Sequence, residues 1–577
     1  MEKIKDQLKR WLSRGGKATP AAISAAKPLT SKKEASASEI SDDVSWKSGV
    51  TPIAPPNIFS HEPSVANKQP ETVPLKAVPS RALPSAPIAQ FKPVSSQVQQ
   101  PTTSPDKPLQ SAARPIVAPQ ARSFAAPGLA AIARPDAFRL PADWVKAGID
   151  LQSPGGGRGK ALPVRIGIDF GTAYTKVSLR AADQVFFLTW GGVLGGGETL
   201  YLPGELSQLD SGAVFLGRAK QASSVMSNLK LPFLPGAKKG ADGQAASVIF
   251  LAWVMRYARA WFYREQPALT KDRKLAWEVN IGCPTNAWES SKIVDLYRHI
   301  GLSAWRLSQS PAEIGVSASH KAIAQTSIGD CAEIGLDGLY PIPEFVAQIA
   351  GYARSPQRRG SLHLLVDCGA GTLDVVTFNV HRQPGEDNDR YPIFSSAVEP
   401  LGTHFLMSAR LSGAQAGHSW DDVAAIPSAE ELSKVSGTAQ NSIELADRDF
   451  LERTKGVIAQ VIRETRQRRS PLAPAWEDGL PFFLTGGGAY CEVYRRAVDR
   501  ACQELRVPAQ YTPFPHFDAV RGNRLGDDNL HRMSVAFGLT YDRDLIGRIV
   551  PAHEIEDLVI GPKPPRERPD RDELYAK

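Results

Sequence analysis

The sequence predicts an α/β protein whose folded part has two lobes, preceded by a long N-terminal region predicted to be disordered. The folded part is predicted by a repeated pattern: an apolar strand ends in Asp169, and later in Asp367, and a turn with glycine and threonine follows each. After each pattern, segments with helical period alternate with short apolar strands, as in α/β domains. The N-terminal region is predicted by its proline-rich and alanine-rich composition.

Residues 1–15 are predicted to form a short basic amphipathic helix. Ile4, Leu8, Trp11 and Leu12 are spaced i, i+4, i+7 and i+8, and lysines and arginines fill most other positions. Such a helix suits an anionic membrane surface or the groove of a partner protein, and it also suits packing on its own domain. We expect peripheral membrane contact through residues 1–14 as one of these uses.

Residues 16–160 are predicted to be a disordered linker. They are rich in proline, alanine and serine and have no apolar period, so they bury too little apolar surface to offset their conformational entropy. At the end of this segment, residues 153–160 resemble a phosphate-binding loop of the G-x-x-x-x-G-K-[ST] type. Pro154 and Ala161 break that pattern, so we interpret the stretch as a flexible entrance to the folded domain.

The charge distribution and the cysteine content limit which functional classes are expected. The net charge of +8 over 577 residues belongs to the N-terminal region: residues 1–140 hold 19 basic and 10 acidic residues, and the remainder holds 49 and 50. We therefore expect no nucleic-acid partner. The five cysteines form no C-x-x-C pair, which favours free thiols. Without an apolar run of about 18 residues, we expect a cytoplasmic protein, peripheral to the membrane if the first helix binds lipid.

The two lobes are predicted at residues 161–360 and 361–550, with a charged, flexible tail at 551–577. In the first lobe, strands are predicted at 164–170, 175–181, 184–190 and 277–281, and helices at 247–264, 290–300 and 343–353. In the second lobe, a strand at 362–367 opens the second hairpin. A further strand at 482–484 leads into three glycines, and a helix is predicted at 489–505.

Three glycine-containing segments together predict an ATP site. Backbone N–H groups of glycine turns can approach phosphates closely, and the residues that we expect to bind ATP or ADP are Gly171, Thr172, Ala173, Lys176, Gly369, Ala370, Gly371, Thr372, Gly486, Gly487 and Gly488. We expect Asp169 and Asp367 to hold Mg²⁺ through water, although each also suits a simple turn cap. Lys176 and Lys230 are candidates to stabilise charge on the γ-phosphate, and we favour Lys176 because the hairpin fixes its spacing from Asp169.

Five motifs in order resemble the actin-like ATPase superfamily and, within it, the ATPase domain of DnaK-type heat-shock chaperones. The resemblance covers residues 163–550 and rests on the two aspartate-containing loops, the glycine triplet, Pro343-Glu344-Phe345-Val346-Ala347 and Val535-Ala536-Phe537-Gly538-Leu539. It implies duplicated ribonuclease H-like domains that close around ATP. It also implies that Glu344 orients the attacking water, with Asp367 as the other candidate.

Three functions remain open from the sequence. The favoured one is an ATPase switch of the chaperone type that passes lobe closure to an unknown protein partner or client. Two departures bear on it: Lys176 resembles the actin and plasmid-partition arrangement, and nothing after about residue 548 suits a peptide-binding domain. The alternatives are an actin-like scaffold of the cell-division or pilus-assembly type and a small-molecule kinase of the same fold. The sequence predicts no oligomeric state.

Overall fold

The computed structural model describes residues 142–190, 199–217, 222–227, 229–230, 233, 241–285, 290–382, 389–412, 426–515 and 527–558. All of these residues belong to one compact unit. The predicted helix at 1–15, the linker as far as residue 141, and the tail from residue 559 onward lie outside the described residues.

Lobe I, which we define as residues 158–343, contains a six-stranded sheet and a small three-stranded sheet. The strands are β1 (Arg158–Phe170), β2 (Tyr174–Ala181), β3 (Gln184–Phe187), β4 (Leu202–Pro203), β5 (Leu206–Gln208), β6 (Val214–Leu216), β7 (Ser224–Met226), β8 (Arg273–Cys283) and β9 (Gly338–Pro343). The large sheet has the order β3-β2-β1-β8-β9, with β4 beside β2, and the small sheet has the order β6-β5-β7. β1 is antiparallel to β2 and parallel to β8, so a hairpin lies next to a crossover strand.

Helices cover lobe I and lead out of it: α1 (Ala142–Ile149), α2 (Ala241–Glu265), α3 (Pro267–Thr270), α4 (Ser291–Ser308), α5 (Val316–Gln325) and α6 (Glu344–Ala353). Helix α2 is almost wholly buried, and its Arg259 donates hydrogen bonds to the carbonyls of Gly148 and Ser308 at the ends of α1 and α4. A cation at these carbonyls stabilises both helix C-termini.

Helix α1 lies within the segment that the sequence assigned to the disordered linker. Its Trp144 is 9% exposed and stacks on Tyr257 of α2, with ring centroids 5.0 Å apart. Strand β1 also begins at Arg158, before the predicted lobe boundary at 161. The linker predicted for residues 16–160 therefore extends too far, because α1 packs on α2 and strand β1 begins at Arg158.

Lobe II, which we define as residues 362–515 with the later strand β15, contains a second six-stranded sheet. Its strands are β10 (Leu362–Cys368), β11 (Leu373–Asn379), β12 (Arg390–Glu399), β13 (Leu480–Thr485), β14 (Ala509–Tyr511) and β15 (Arg548–Val550), in the order β14-β13-β10-β11-β12-β15. The helices that follow α6 are α7 (Thr403–Arg410), α8 (Ala429–Ser436), α9 (Gln440–Glu464), α10 (Ala475–Asp478), α11 (Glu492–Glu504), α12 (Asp527–Gly538) and α13 (Arg543–Ile546). β10 pairs antiparallel with β11 and parallel with β13, as β1 pairs with β2 and β8.

Helices α6 and α12 cross in close contact between the two sheets. A Cβ atom built on Gly538 would lie 1.7 Å from the backbone oxygen of Ala347. The chain leaving α12 is held by lobe I, since Asn280 Nδ2 donates to the Leu539 carbonyl at 2.7 Å and Arg180 Nε donates to the Thr540 carbonyl at 3.0 Å. This crossing fixes how lobe I meets the helices that lead to lobe II.

We predict that Gly538→Ala destabilises the protein by about 1–3 kcal/mol or more, because the added methyl group must push two helix backbones apart. Gly456→Ala is the matched control: Gly456 is an exposed residue of α9, and a Cβ there meets nothing within 4 Å. Since alanine is the better helix former, the free energy of unfolding of the control variant should exceed that of wild type by about 0.5–1 kcal/mol. Urea denaturation measures both changes, and equal free energies of unfolding would contradict the role of the crossing.

The state of the cysteines agrees with the sequence. All five cysteines are unpaired, as the absence of a C-x-x-C pair predicts, and four of them are buried. Within the described ranges, no helix combines the length and apolar character that crossing a bilayer requires.

Candidate functional site

The first hairpin brings two predicted site residues into contact. Asp169 and Lys176 are directly opposed in the β1–β2 pairing, and Lys176 Nζ lies 2.5 Å from Asp169 Oδ2. The exposed fractions of these side chains are 18% for Lys176 and 6% for Asp169. Gly171 begins the turn, and any Cβ there would lie 2.4 Å from the Tyr174 carbonyl oxygen. The turn therefore requires glycine, and it places the lysine against the carboxylate as their spacing predicts.

In both hairpin turns, a carbonyl group accepts a hydrogen bond from a backbone N–H of a neighbouring segment. In the first turn, Ala173 O accepts the N–H of Gly204 at 2.8 Å, and in the second turn, Ala370 O accepts the N–H of His404 at 2.9 Å. Among the described residues, the backbone N–H groups of Thr172, Ala370 and Gly371 have no backbone acceptor. Backbone N–H groups of a turn that have no acceptor within the protein can donate to an anion.

The second hairpin places Asp367 opposite Asp374. Gln348 of α6 donates to Asp367 Oδ2 at 3.2 Å and to Thr485 Oγ1 at 2.7 Å. Burial raises the pKa of Asp367, and the positive charge of Lys176 acts against that shift. The hydroxyl of Thr372, predicted to contact phosphate, donates to Asp374 Oδ2 at 3.1 Å.

The two hairpins face each other across one cleft between the lobes. A Cβ atom built on Gly371 would lie 4.0 Å from Thr172 Cγ2, so the turns are in van der Waals reach. The carboxylate of Asp169 also acts on Asp367 and raises its pKa. Asp169 and Asp367 therefore share a crevice, which is the arrangement that the ATP-site hypothesis requires.

Lys230 and Glu344 form a second ion pair in this cleft. Lys230 Nζ lies 2.5 Å from Glu344 Oε1, and the lysine residue is 8% exposed. Burial opposes the charge on Lys230, but the carboxylates of Glu344, Asp169 and Asp374 outweigh it and raise the pKa of Lys230. Sequence analysis named both residues as candidates and did not predict that they touch, because 114 residues separate them.

Asp374 is a site residue that the sequence analysis missed. Its carboxyl group is half-buried, and burial, together with the charges of Asp367 and Glu344, raises its pKa to about 7. The signal was available in the hairpin pattern, since Asp374 is the second aspartate of the motif and lies directly across from Asp367. The cleft thus holds four carboxylates, from Asp169, Glu344, Asp367 and Asp374, against the two lysines.

The raised pKa of Asp374 predicts a pH-dependent effect of Asp374→Asn. The folded protein keeps this proton up to about pH 7, whereas the unfolded chain releases it near the ordinary value of 3.8, so ionisation of Asp374 lowers stability progressively between those values. Removing the group should therefore raise the melting temperature relative to wild type more at pH 8 than at pH 5. Equal shifts at the two pH values would show that Asp374 titrates normally.

The glycine triplet lies behind the second hairpin. Gly486 has a φ of +79°, and a Cβ there would lie 2.4 Å from Asp367 Oδ1. The N–H of Gly488 donates to the Cys368 carbonyl at 3.0 Å. Gly487 is the open member, because only Arg532 Nη2, at 3.8 Å, lies near its Cβ position. The predicted adenosine contact thus remains a prediction, while Gly486 and Gly488 have a packing reason to be glycine.

A metal ion in the cleft would have to keep its water shell. Within the described part of the chain, no group of three or more histidine, cysteine or acidic side chains is arranged to hold a metal directly. Mg²⁺ usually retains several waters and needs only one or two carboxylates nearby. Binding of Mg²⁺ by Asp169 and Asp367 through water therefore stays a prediction.

Comparisons with known proteins give structural matches only. No family model matches the chain, and no curated protein sequence matches it. The chain is similar to the crystal structure of MreB5 of Spiroplasma citri bound to ADP, with a TM-score of 0.34 and 14% identity over 66% of this chain and 95% of that chain. It is similar also to MreB 5 of Spiroplasma citri bound to AMPPNP, with a TM-score of 0.34 and 13% identity over the same shares.

Proposed function

We propose that this chain is an ATP-binding and ATP-hydrolysing protein of actin-like architecture, with the nucleotide held between its lobes. The observation that carries the proposal is the approach of two glycine turns from two different sheets, with Asp169, Lys176 and Asp367 beside them. Available N–H groups on both turns supply donors for phosphate oxygens. Phosphoryl transfer requires positioning and charge neutralisation, and both are supported by this geometry.

The charge balance of the cleft favours a metal-bound triphosphate over a free one. Even with Asp374 protonated up to about pH 7, the other three carboxylates outnumber the two lysines, which disfavours a bare polyphosphate. A divalent cation, when bound, neutralises phosphate charge and polarises the γ-phosphate. In this proposal Asp169 and Asp367 hold it through water, Lys176 contacts the phosphates, and Lys230 stabilises negative charge that develops on the γ-phosphate.

Two carboxylates are candidates to act on the attacking water. Glu344 is paired with Lys230, so it suits orienting a water as an acceptor. Asp374 suits proton acceptance, because a general base works best when its pKa lies near the operating pH. We therefore add Asp374 to Glu344 and Asp367 as candidates for catalysis.

The output that we infer is a conformational switch. ATP contacts both hairpins, so binding favours the closed arrangement of the lobes about the crossing of α6 and α12, and hydrolysis releases it. A protein partner then responds to the change, as in the chaperone-type ATPases that the motifs resemble. ATP-dependent pelleting of filaments, or binding of the full chain to anionic liposomes, would favour the scaffold alternative in place of the switch.

Nucleotide binding and turnover test the proposal. We expect a fluorescent ATP analogue to bind in the presence of Mg²⁺ and to bind much more weakly with EDTA. Free phosphate should appear from ATP without an added acceptor, which argues against the kinase alternative. Failure to bind ATP with Mg²⁺ present would reject the proposed function.

A further inference from the structure

The buried hydroxyl of Tyr297, on which the Glu344 carboxylate acts electrostatically, has no role in the site described above. Tyr297 of α4 is 1% exposed, and its ring packs on Phe233 with centroids 4.3 Å apart. The N–H of Phe233 donates to the Lys230 carbonyl at 3.1 Å. The turn that carries Lys230 therefore also fixes the ring of Tyr297.

The hydroxyl of Tyr297 has no hydrogen-bond partner among the described residues. A buried hydroxyl without a partner loses its hydration and gains nothing in return, so such groups need an explanation. The groups that act on it electrostatically are Glu344 and Cys283. Gly282 packs against the same glutamate, since a Cβ there would lie 3.1 Å from Glu344 Cγ.

The carboxylate of Glu344 has one oxygen available for a further bond. Lys230 contacts Oε1, and no other hydrogen bond to this carboxylate is formed within the described ranges. A half-buried carboxylate accepts several hydrogen bonds when it is ionised. The Tyr297 hydroxyl, the Cys283 thiol and the Glu344 carboxylate interact electrostatically with one another. Together they offer the number of polar partners that a bound water needs.

We propose that Tyr297 is a positioning residue whose hydroxyl donates a hydrogen bond, through one water molecule, to the Glu344 oxygen that Lys230 does not contact. This inference rests on the proposed ATPase function, because its purpose is to hold Glu344 in the orientation that aligns the attacking water. A water-mediated bond carries nearly the enthalpy of a direct one. With two fixed contacts, one on each oxygen, the Glu344 carboxylate cannot rotate freely.

Tyr297→Phe tests the proposal because it removes one oxygen and keeps the ring. Tyr391→Phe is the matched control: Tyr391 is fully buried in lobe II, and its hydroxyl has no partner among the described residues either. We expect Tyr297→Phe to lower kcat for phosphate release by about fivefold to tenfold, with KM for ATP unchanged, because the lost contact acts on the chemical step. Tyr391→Phe should leave both constants unchanged.

A second measurement needs no ATP. Melting temperatures of Tyr297→Phe, Glu344→Gln and the double variant form a cycle, and coupled residues give non-additive shifts. Additive shifts, or a kcat for Tyr297→Phe equal to that of the control, would overturn the proposal. If the wild-type protein binds and hydrolyses no ATP, the proposed function fails, while the cycle still decides whether Tyr297 and Glu344 are linked.

Discussion

Asp367→Asn is expected to lower Mg²⁺-dependent ATP hydrolysis by about 10²- to 10³-fold, the range seen when one preorganised electrostatic group is removed. Asparagine has nearly the shape of aspartate, and its amide oxygen can still accept the hydrogen bond from Gln348. The close packing against Gly486 is therefore kept. The variant should fold with a melting temperature near that of wild type, so the lost ATPase activity can be attributed to the removed charge.

The measurement is phosphate release at saturating ATP over a range of Mg²⁺ concentrations. Asp449→Asn is the control, because Asp449 is an exposed residue of α9 in the same lobe. We use Asp367 in preference to Asp169, since removing Asp169 would also leave Lys176 without its 2.5 Å partner. If Asp367→Asn hydrolysed ATP at the rate of the control, the second hairpin would not be part of the site.

The parts of the site that the sequence predicted are those set by neighbouring residues. Asp169 and Lys176 are seven residues apart on a tight hairpin, so strand pairing alone places them opposite each other. The same holds for Asp367 and the turn that follows it. Strand and turn patterns act over a few residues, which is the range that sequence periodicity reports.

The parts that the sequence could not predict are set by contacts between distant segments. Gln348 donates hydrogen bonds to both Asp367 and Thr485. Thr485 lies 137 residues after Gln348 in the sequence, so no local pattern predicts this contact. Helix α1 has only eight residues, and so short a helix is marginal alone. Its order comes from Trp144 stacking on Tyr257 and from the capping arginine Arg259. The glycine triplet is a third case that the sequence cannot decide. Glycine in this segment is explained by a nucleotide contact and equally well by close packing against Asp367.

Lys230→Ala is expected to destabilise the protein by about 3 kcal/mol, the lower end of the range for breaking a buried ion pair. The reason is the partner: burial and the charge of Asp169 raise the pKa of Glu344, so without Lys230 this carboxylate either stays charged at a high cost or takes up a proton. The double variant Lys230→Met/Glu344→Gln removes both charges and should recover most of that loss. Urea denaturation of the three proteins measures the effect, and ATP hydrolysis should fall in both variants.

The surface pair Lys434–Glu430 provides the comparison that separates burial from distance. Its nitrogen and oxygen are 2.6 Å apart, almost the same as in the Lys230–Glu344 pair, but both side chains are more than 60% exposed. Water and salt screen such a pair, so Lys434→Ala should leave the unfolding midpoint close to that of wild type. If Lys230→Ala behaved like Lys434→Ala, water would have to reach Glu344 freely. The second lysine of the cleft would then contribute nothing to holding Glu344 in place.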